Sequence, residues 1–173
     1  MTRLSENVYL QGSVPATFIR TALPIILLTS VNGLLTVADA DPRQFADLRG
    51  VRIERWVNQD AVLPAVRAVI CHAGAGTTLG ALTASTPIVA IPLFADQPFN
   101  AEQITNTGTG LAVAPGPDLT SSLGHALDQV LTTEPPGCKP MAEAIRSLPG
   151  LPNAIEMIRD VAASRPLDAT ARS

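Results

Sequence analysis

The chain has 173 residues and a mass of 18.1 kDa, with 46% hydrophobic and 16% charged residues and a net charge of −3 at pH 7. A domain of this size is expected to bury roughly 70% of its unfolded surface without metals or cross-links, and so hydrophobic a composition excludes wholesale disorder. With a pI near 5.3 there is no basic footprint for nucleic acid or an anionic membrane, and 3% aromatic residues leave an aliphatic core.

Short aliphatic or β-branched runs bounded by Gly, Pro, Asn or Asp predict strands at 8–10, 25–29, 51–56, 68–71, 88–92 and 111–114. Residues 6–12 look like a protease-recognition tag, yet Val8-Tyr9-Leu10 followed by Gly12-Ser13 reads as a native strand and turn. Runs without polar alternation fit strands buried on both faces, the signature of a parallel sheet. Helices are expected at 77–84, 98–106, 119–131, 141–148 and 153–163; in the last, Ile155, Ile158 and Val161/Ala162 share a face and Asn153 is placed to cap it. Alternating strands and helices with right-handed crossovers predict a Rossmann-like α/β sheet flanked by helices. The domain is expected to fill 1–163, with 164–173 a disordered tail.

The longest apolar run, 22–28, contains Pro24 and falls far short of the ~20 residues a membrane span needs. No secretory leader opens the chain, so a cytoplasmic protein with no membrane span is expected. Cys71 and Cys138 are too few for a disulfide framework or zinc cluster, and His72 and His125 too few for a His-rich centre, so no metal is expected. Cys71, in an apolar run, reads as a small buried hydrophobe.

The sharpest segment is Ile70-Cys71-His72-Ala73-Gly74-Ala75-Gly76-Thr77-Thr78-Leu79. A buried strand, a turn with glycines at alternate positions and a helix start make a phosphate cradle. The glycines let backbone N–H groups approach, the threonine hydroxyls donate, and the helix N-terminus favours negative charge. His72, at the strand's carboxyl end, adds a hydrogen bond or a positive charge. The spacing is neither Gly-x-Gly-x-x-Gly nor a P-loop, so a tight turn without a ligand stays open as the alternative. After the next strand, Asp96 and Gln97 offer an acceptor beside a donor, suited to vicinal hydroxyls of a sugar; Asp96 is equally placed to cap a helix opening at Pro98. Trp56, the single tryptophan, either stacks on a nucleobase or packs in the core.

Trp56-Val57-Asn58-Gln59, His72-Ala73-Gly74-Ala75-Gly76-Thr77, Pro87, Asp96-Gln97 and Asn100-Ala101 together resemble the donor-binding signature of family-1 glycosyltransferases with the GT-B fold. The relatives implied are bacterial enzymes of the antibiotic and macrolide type, and the likeness runs from about Val8 to Val161. It implies one half of a GT-B fold that binds a nucleoside-diphosphate sugar as substrate, without a cofactor, in natural product biosynthesis. By the same resemblance Trp56 stacks on the base and Val57 offers it backbone. His72, Gly74, Gly76, Thr77 and Thr78 hold the diphosphate, Asp96 and Gln97 grip the sugar, and Ser13 approaches the phosphates from the other side. Asn58 departs from the usual proline, and the stretch from Ser13 to Pro24 is short for the helix the family places there.

Only the C-terminal half of such an enzyme is covered, so the acceptor site and the catalytic base are expected on an N-terminal domain or a separate acceptor subunit. The hexosyltransferase activity is then expected to be absent from this chain alone. Relatives that use uridine donors carry a Glu eight positions after the motif histidine to bind ribose hydroxyls. Gly80 stands there, which favours a thymidine nucleotide. The donor subunit of a two-chain glycosyltransferase and a non-catalytic nucleotide-binding module remain as the alternatives.

Overall fold

Successive strand residues point to opposite sides of a sheet, and in this chain both sides are apolar. The structure, a computed structural model, describes residues 7–11, 32–48 and 50–164. They form one six-stranded parallel sheet from β1 (Asn7–Gln11), β2 (Asn32–Thr36), β3 (Val51–Glu54), β4 (Ala68–Cys71), β5 (Ile88–Ala90) and β6 (Gly110–Ala112), ordered β3-β2-β1-β4-β5-β6. The helices are α1 (Gln59–Val62), α2 (Ala75–Ala84), α3 (Gln97–Asn106), α4 (Leu119–Thr132), α5 (Cys138–Ser147) and α6 (Leu151–Ser164), with 3-10 turns at Pro42–Phe45 and Leu63–Ala65.

The two faces follow the strand period of two. Val8, Leu10, Leu35, Ile70, Val89 and Ile91 pack with Leu123 and Leu127 of α4. Tyr9, Leu34, Val69, Cys71, Ile88 and Ala90 pack on the other face with Ala81 of α2 and Ala101 and Ile104 of α3. The sequence 8–10 is thus the centre of the sheet, with Val8 opposite Gly33 on one side and Ala68 on the other. The segment is an integral part of the sheet rather than a free extension. From β1 the chain proceeds outward to β2 and β3, and from β4 outward to β5 and β6. The direction reverses between β1 and β4, and open α/β sheets of this order bind ligands at the carboxyl ends of those strands.

Several expectations shift. β2 was not foreseen, because Asn32-Gly33 carries a turn signal that outweighs Leu34-Leu35; pairing with both β1 and β3 overrides it. The strand expected at 25–29 and the stretch from Ser13 to Pro24 lie outside the described residues. β3 ends at Glu54, leaving Arg55 and Trp56 in a loop. Asn153 does not cap α6 but sits inside its first turn, since the helix opens at Leu151. α6 also runs through Ser164, one residue into the expected tail, and 165–173 fall outside the described residues. Among the described residues no helix is long and apolar enough to cross a membrane, and no group of His, Cys, Asp and Glu side chains is placed to hold a metal ion.

Candidate functional site

The loops after β3, β4 and β5 bring Trp56, His72 and Asp96 to the same edge of the sheet. Ser13 lies outside the described residues. Two of these loops turn through alanines in the left-handed region, Ala73 at φ 63° and Ala95 at φ 57°, and the loop after β2 turns through Ala38 at φ 47°. Such backbone costs an alanine about 1–2 kcal/mol, and it persists where the surroundings dictate it. At Ala73 the surroundings are explicit: the residue is buried and its carbonyl accepts from Asn100 Nδ2 at 2.9 Å. The same Nδ2 donates to Asp96 Oδ2 at 2.9 Å. Asn100 therefore ties the glycine turn to the Asp96 loop. It had been noted only as part of a motif; its spacing of one helical turn from Asp96 was the available signal.

α2 begins at Ala75, two residues before the expected start, with Gly74 at its N-cap. The two turn glycines have different reasons. A Cβ on Gly74 would stand 2.4 Å from His72 Nε2, so the imidazole lies across that glycine and any side chain there would have to displace the ring. A Cβ on Gly76 would meet nothing within 4 Å. Ala75 and Gly76 are exposed while Thr77 and Thr78 are buried, so the first turn of α2 presents open backbone on one side and hydroxyls on the other. Thr77 Oγ1 lies 3.3 Å from both amide atoms of Gln59. Thr78, 8% exposed, has a buried hydroxyl with no partner among the described residues. Both threonines thus sit beneath the turn, and Ala75 and Gly76 are the part of it left exposed.

His72 is half-buried, and its Nδ1 is buried without a partner among the described residues. Burial holds its pKa below the ordinary 6.5, with the Asp96 carboxylate acting in the opposite sense. The ring is neutral near pH 7 and serves as a hydrogen-bonding group rather than a fixed charge. A depressed folded pKa means that the unfolded chain takes up the proton first as pH falls. The stability His72 contributes is therefore complete above pH 6.5 and is lost as pH drops through the folded value. His72→Gln is expected to flatten the fall in melting temperature between about pH 7 and pH 5, read by thermal melts at successive pH values.

Trp56 is 78% exposed, so the core alternative for its indole is overturned. Val57 is half-buried against the apolar cluster that contains Tyr9. Asn58 caps α1, its side chain accepting from Asp60 N at 3.0 Å, which explains a cap-type residue in place of proline. Asp96 occupies the N-cap position of α3, but its side chain makes no capping bond and remains exposed, its carboxylate held by Asn100. Gln97 is only 5% exposed, and its Oε1 accepts from Leu93 N at 2.9 Å and Phe94 N at 3.1 Å. Its oxygen is committed to the loop, which leaves the carboxamide N–H groups as its polar offering. A Cβ on Gly80 would meet Leu63 Cδ1 at 2.9 Å, so a larger residue there would require the Leu63 side chain to shift. The chain therefore assembles an exposed aromatic, a neutral imidazole beside open backbone N–H groups, and a carboxylate along one sheet edge. These are parts for a base, a diphosphate and a polyhydroxy group.

A family model described as erythromycin biosynthesis protein CIII-like, C-terminal domain, matches residues 34–161. The chain is 38% identical over 117 residues to elloramycin glycosyltransferase ElmGT of Streptomyces olivaceus, covering 67% of this chain and 30% of that protein. It is 34% identical over 110 residues to tylactone mycaminosyltransferase of Streptomyces fradiae, covering 60% and 24%. Among solved structures, CalG4, the calicheamicin glycosyltransferase, superposes with a TM-score of 0.80 at 21% identity over 90% of this chain and 42% of that one. Spinosyn rhamnosyltransferase SpnG gives 0.81 at 19% identity over 90% and 45%. At these identities the superpositions establish the fold, a GT-B half. The chain spans less than half the length of each of these relatives.

Proposed function

The chain belongs to the family of erythromycin biosynthesis protein CIII-like C-terminal domains, and on that premise we propose that it is the donor-binding half of a glycosyltransferase that uses a nucleoside-diphosphate sugar. The observation that carries the reading is the turn after β4, where His72 lies against Gly74 beside the exposed first turn of α2. In the intact reaction an acceptor hydroxyl attacks the anomeric carbon and the nucleoside diphosphate departs. Negative charge grows on the departing diphosphate, and the α2 N-terminus and the His72 imidazole meet it there. Trp56 provides the stacking face for the base, and Asp96 accepts from sugar hydroxyls. The general base belongs to an acceptor-binding domain or subunit.

Exposed apolar side chains support such a partner. Phe94 and Phe99 flank the Asp96 loop, and Leu151, Met157 and Ile158 stand exposed on α6. A helix of 14 residues is marginal in water by itself, so α6 is expected to gain from being covered. By analogy with the relatives, one named an elloramycin glycosyltransferase and one a tylactone mycaminosyltransferase, the acceptor is a small natural product. The thymidine preference rests on the missing carboxylate at Gly80: a uridine nucleotide would leave its 2′-hydroxyl without that acceptor, costing about 1–3 kcal/mol at a site closed to water. Calorimetric titration of thymidine diphosphate and uridine diphosphate side by side tests both levels. Binding of either supports the donor site, tighter thymidine binding supports the preference, and no binding of either refutes the donor site.

A further inference from the structure

Beneath the turn, side chains from four elements are joined by hydrogen bonds. Tyr9 Oη of β1 lies 3.2 Å from Thr36 Oγ1 of β2 and accepts from Gln59 Nε2 of α1 at 3.3 Å. Gln59 in turn meets Thr77 Oγ1 of α2 at 3.3 Å. Tyr9 is 1% exposed, and Thr36 and Thr77 are buried. Burial also raises the pKa of the phenol, so its proton stays available for the bridge. Tyr9 belongs to the central strand, at the point where the strand order reverses, and its ring already packs in the apolar cluster. A phenylalanine would satisfy that packing. What the hydroxyl adds is a hold on the Gln59 carboxamide, which itself joins the Trp56-Val57-Asn58-Gln59 segment to the first turn of α2 through Thr77.

We propose that Tyr9 is a positioning residue, whose hydroxyl acts through Gln59 and Thr77 to hold the nucleobase loop and the diphosphate turn at the separation an intact nucleoside diphosphate requires. The proposal rests on the donor-site reading above. It also gives the Thr77 hydroxyl a role within the protein rather than on the ligand. Two linked halves of a ligand reinforce each other only when their subsites are correctly spaced, so loosening the bridge harms the whole more than its parts.

The test uses Tyr9→Phe, which releases the Gln59 carboxamide from its tie to β1, with Gln59→Met as a second variant that removes the Gln59–Thr77 contact itself. Thymidine diphosphate, thymidine and inorganic pyrophosphate are titrated by NMR shift changes. The expected result is an affinity for thymidine diphosphate about tenfold lower, with thymidine and pyrophosphate each changed by less than about twofold. An unchanged thymidine diphosphate affinity, or equal losses for the fragments, overturns the proposal. Amide hydrogen exchange in the ligand-free protein gives a readout that needs no ligand. Either variant is expected to speed exchange in both 56–60 and 75–79, and acceleration confined to β1 and β2 overturns the proposal. Should the wild-type chain bind no thymidine diphosphate, the donor reading falls and the exchange pattern alone decides whether the two loops are coupled through Tyr9.

Discussion

Replacing His72 by alanine is expected to lower affinity for a nucleoside diphosphate ten- to a hundredfold while leaving the free nucleoside nearly unaffected. The imidazole is neutral because burial depresses its pKa, so the loss is that of one hydrogen bond to a charged phosphate, about 1.5–3 kcal/mol. The ring lies over Gly74 at the N-terminus of α2, the proposed diphosphate subsite. Calorimetry with both ligands separates the outcomes. Equal losses for nucleoside and diphosphate would make His72 a packing residue.

The glycines of the turn are expected to part company in a way that packing alone would not produce. Gly76→Ala places its methyl in open space within the first turn of α2, where alanine is the better helix former. Melting should therefore show stability unchanged or raised by up to ~1 kcal/mol. On the proposed donor site the same methyl would stand on the exposed side of the turn that meets phosphate, so diphosphate affinity should fall at least about tenfold, some 1.4 kcal/mol. Gly74→Ala is expected to lower affinity as far as His72→Ala does, because its Cβ cannot coexist with the imidazole at 2.4 Å. The Gly74 backbone, at φ −65° and ψ 144°, is open to alanine, so the damage comes through the displaced ring. A variant at position 76 that is both stable and fully binding would place the ligand elsewhere.

The segment that carries the site was the most legible part of the chain. Ala68–Cys71 is an unbroken apolar run, and its strand matches the expected limits. The helix that follows begins earlier than expected because Gly74 and Gly76 argue for loop, whereas tertiary packing of Thr77, Thr78 and Ala81 extends the helix back to Ala75. β2 was hidden by Asn32-Gly33, whose turn chemistry yields once parallel neighbours are available on both sides. Side-chain commitments were the least legible. Gln97 stands next to Asp96 in sequence, yet the start of α3 carries it inward to bond the loop backbone. The Tyr9, Thr36, Gln59 and Thr77 bridge joins residues brought together only by the sheet order, which no local pattern announces. The resemblance of the motifs to a donor signature pointed to the family without them.

Trp56 offers the most direct measurement of the central claim, because it is the chain's single tryptophan and its indole is exposed. Titrating the protein with thymidine diphosphate while recording tryptophan fluorescence reports base stacking at one defined position. The account predicts a saturable change in Trp56 emission that is shifted to higher ligand concentration by His72→Ala and reversed by excess inorganic pyrophosphate. Emission that stays constant while calorimetry registers binding would contradict it, since the nucleotide would then lie away from the edge formed by Trp56, His72 and Asp96.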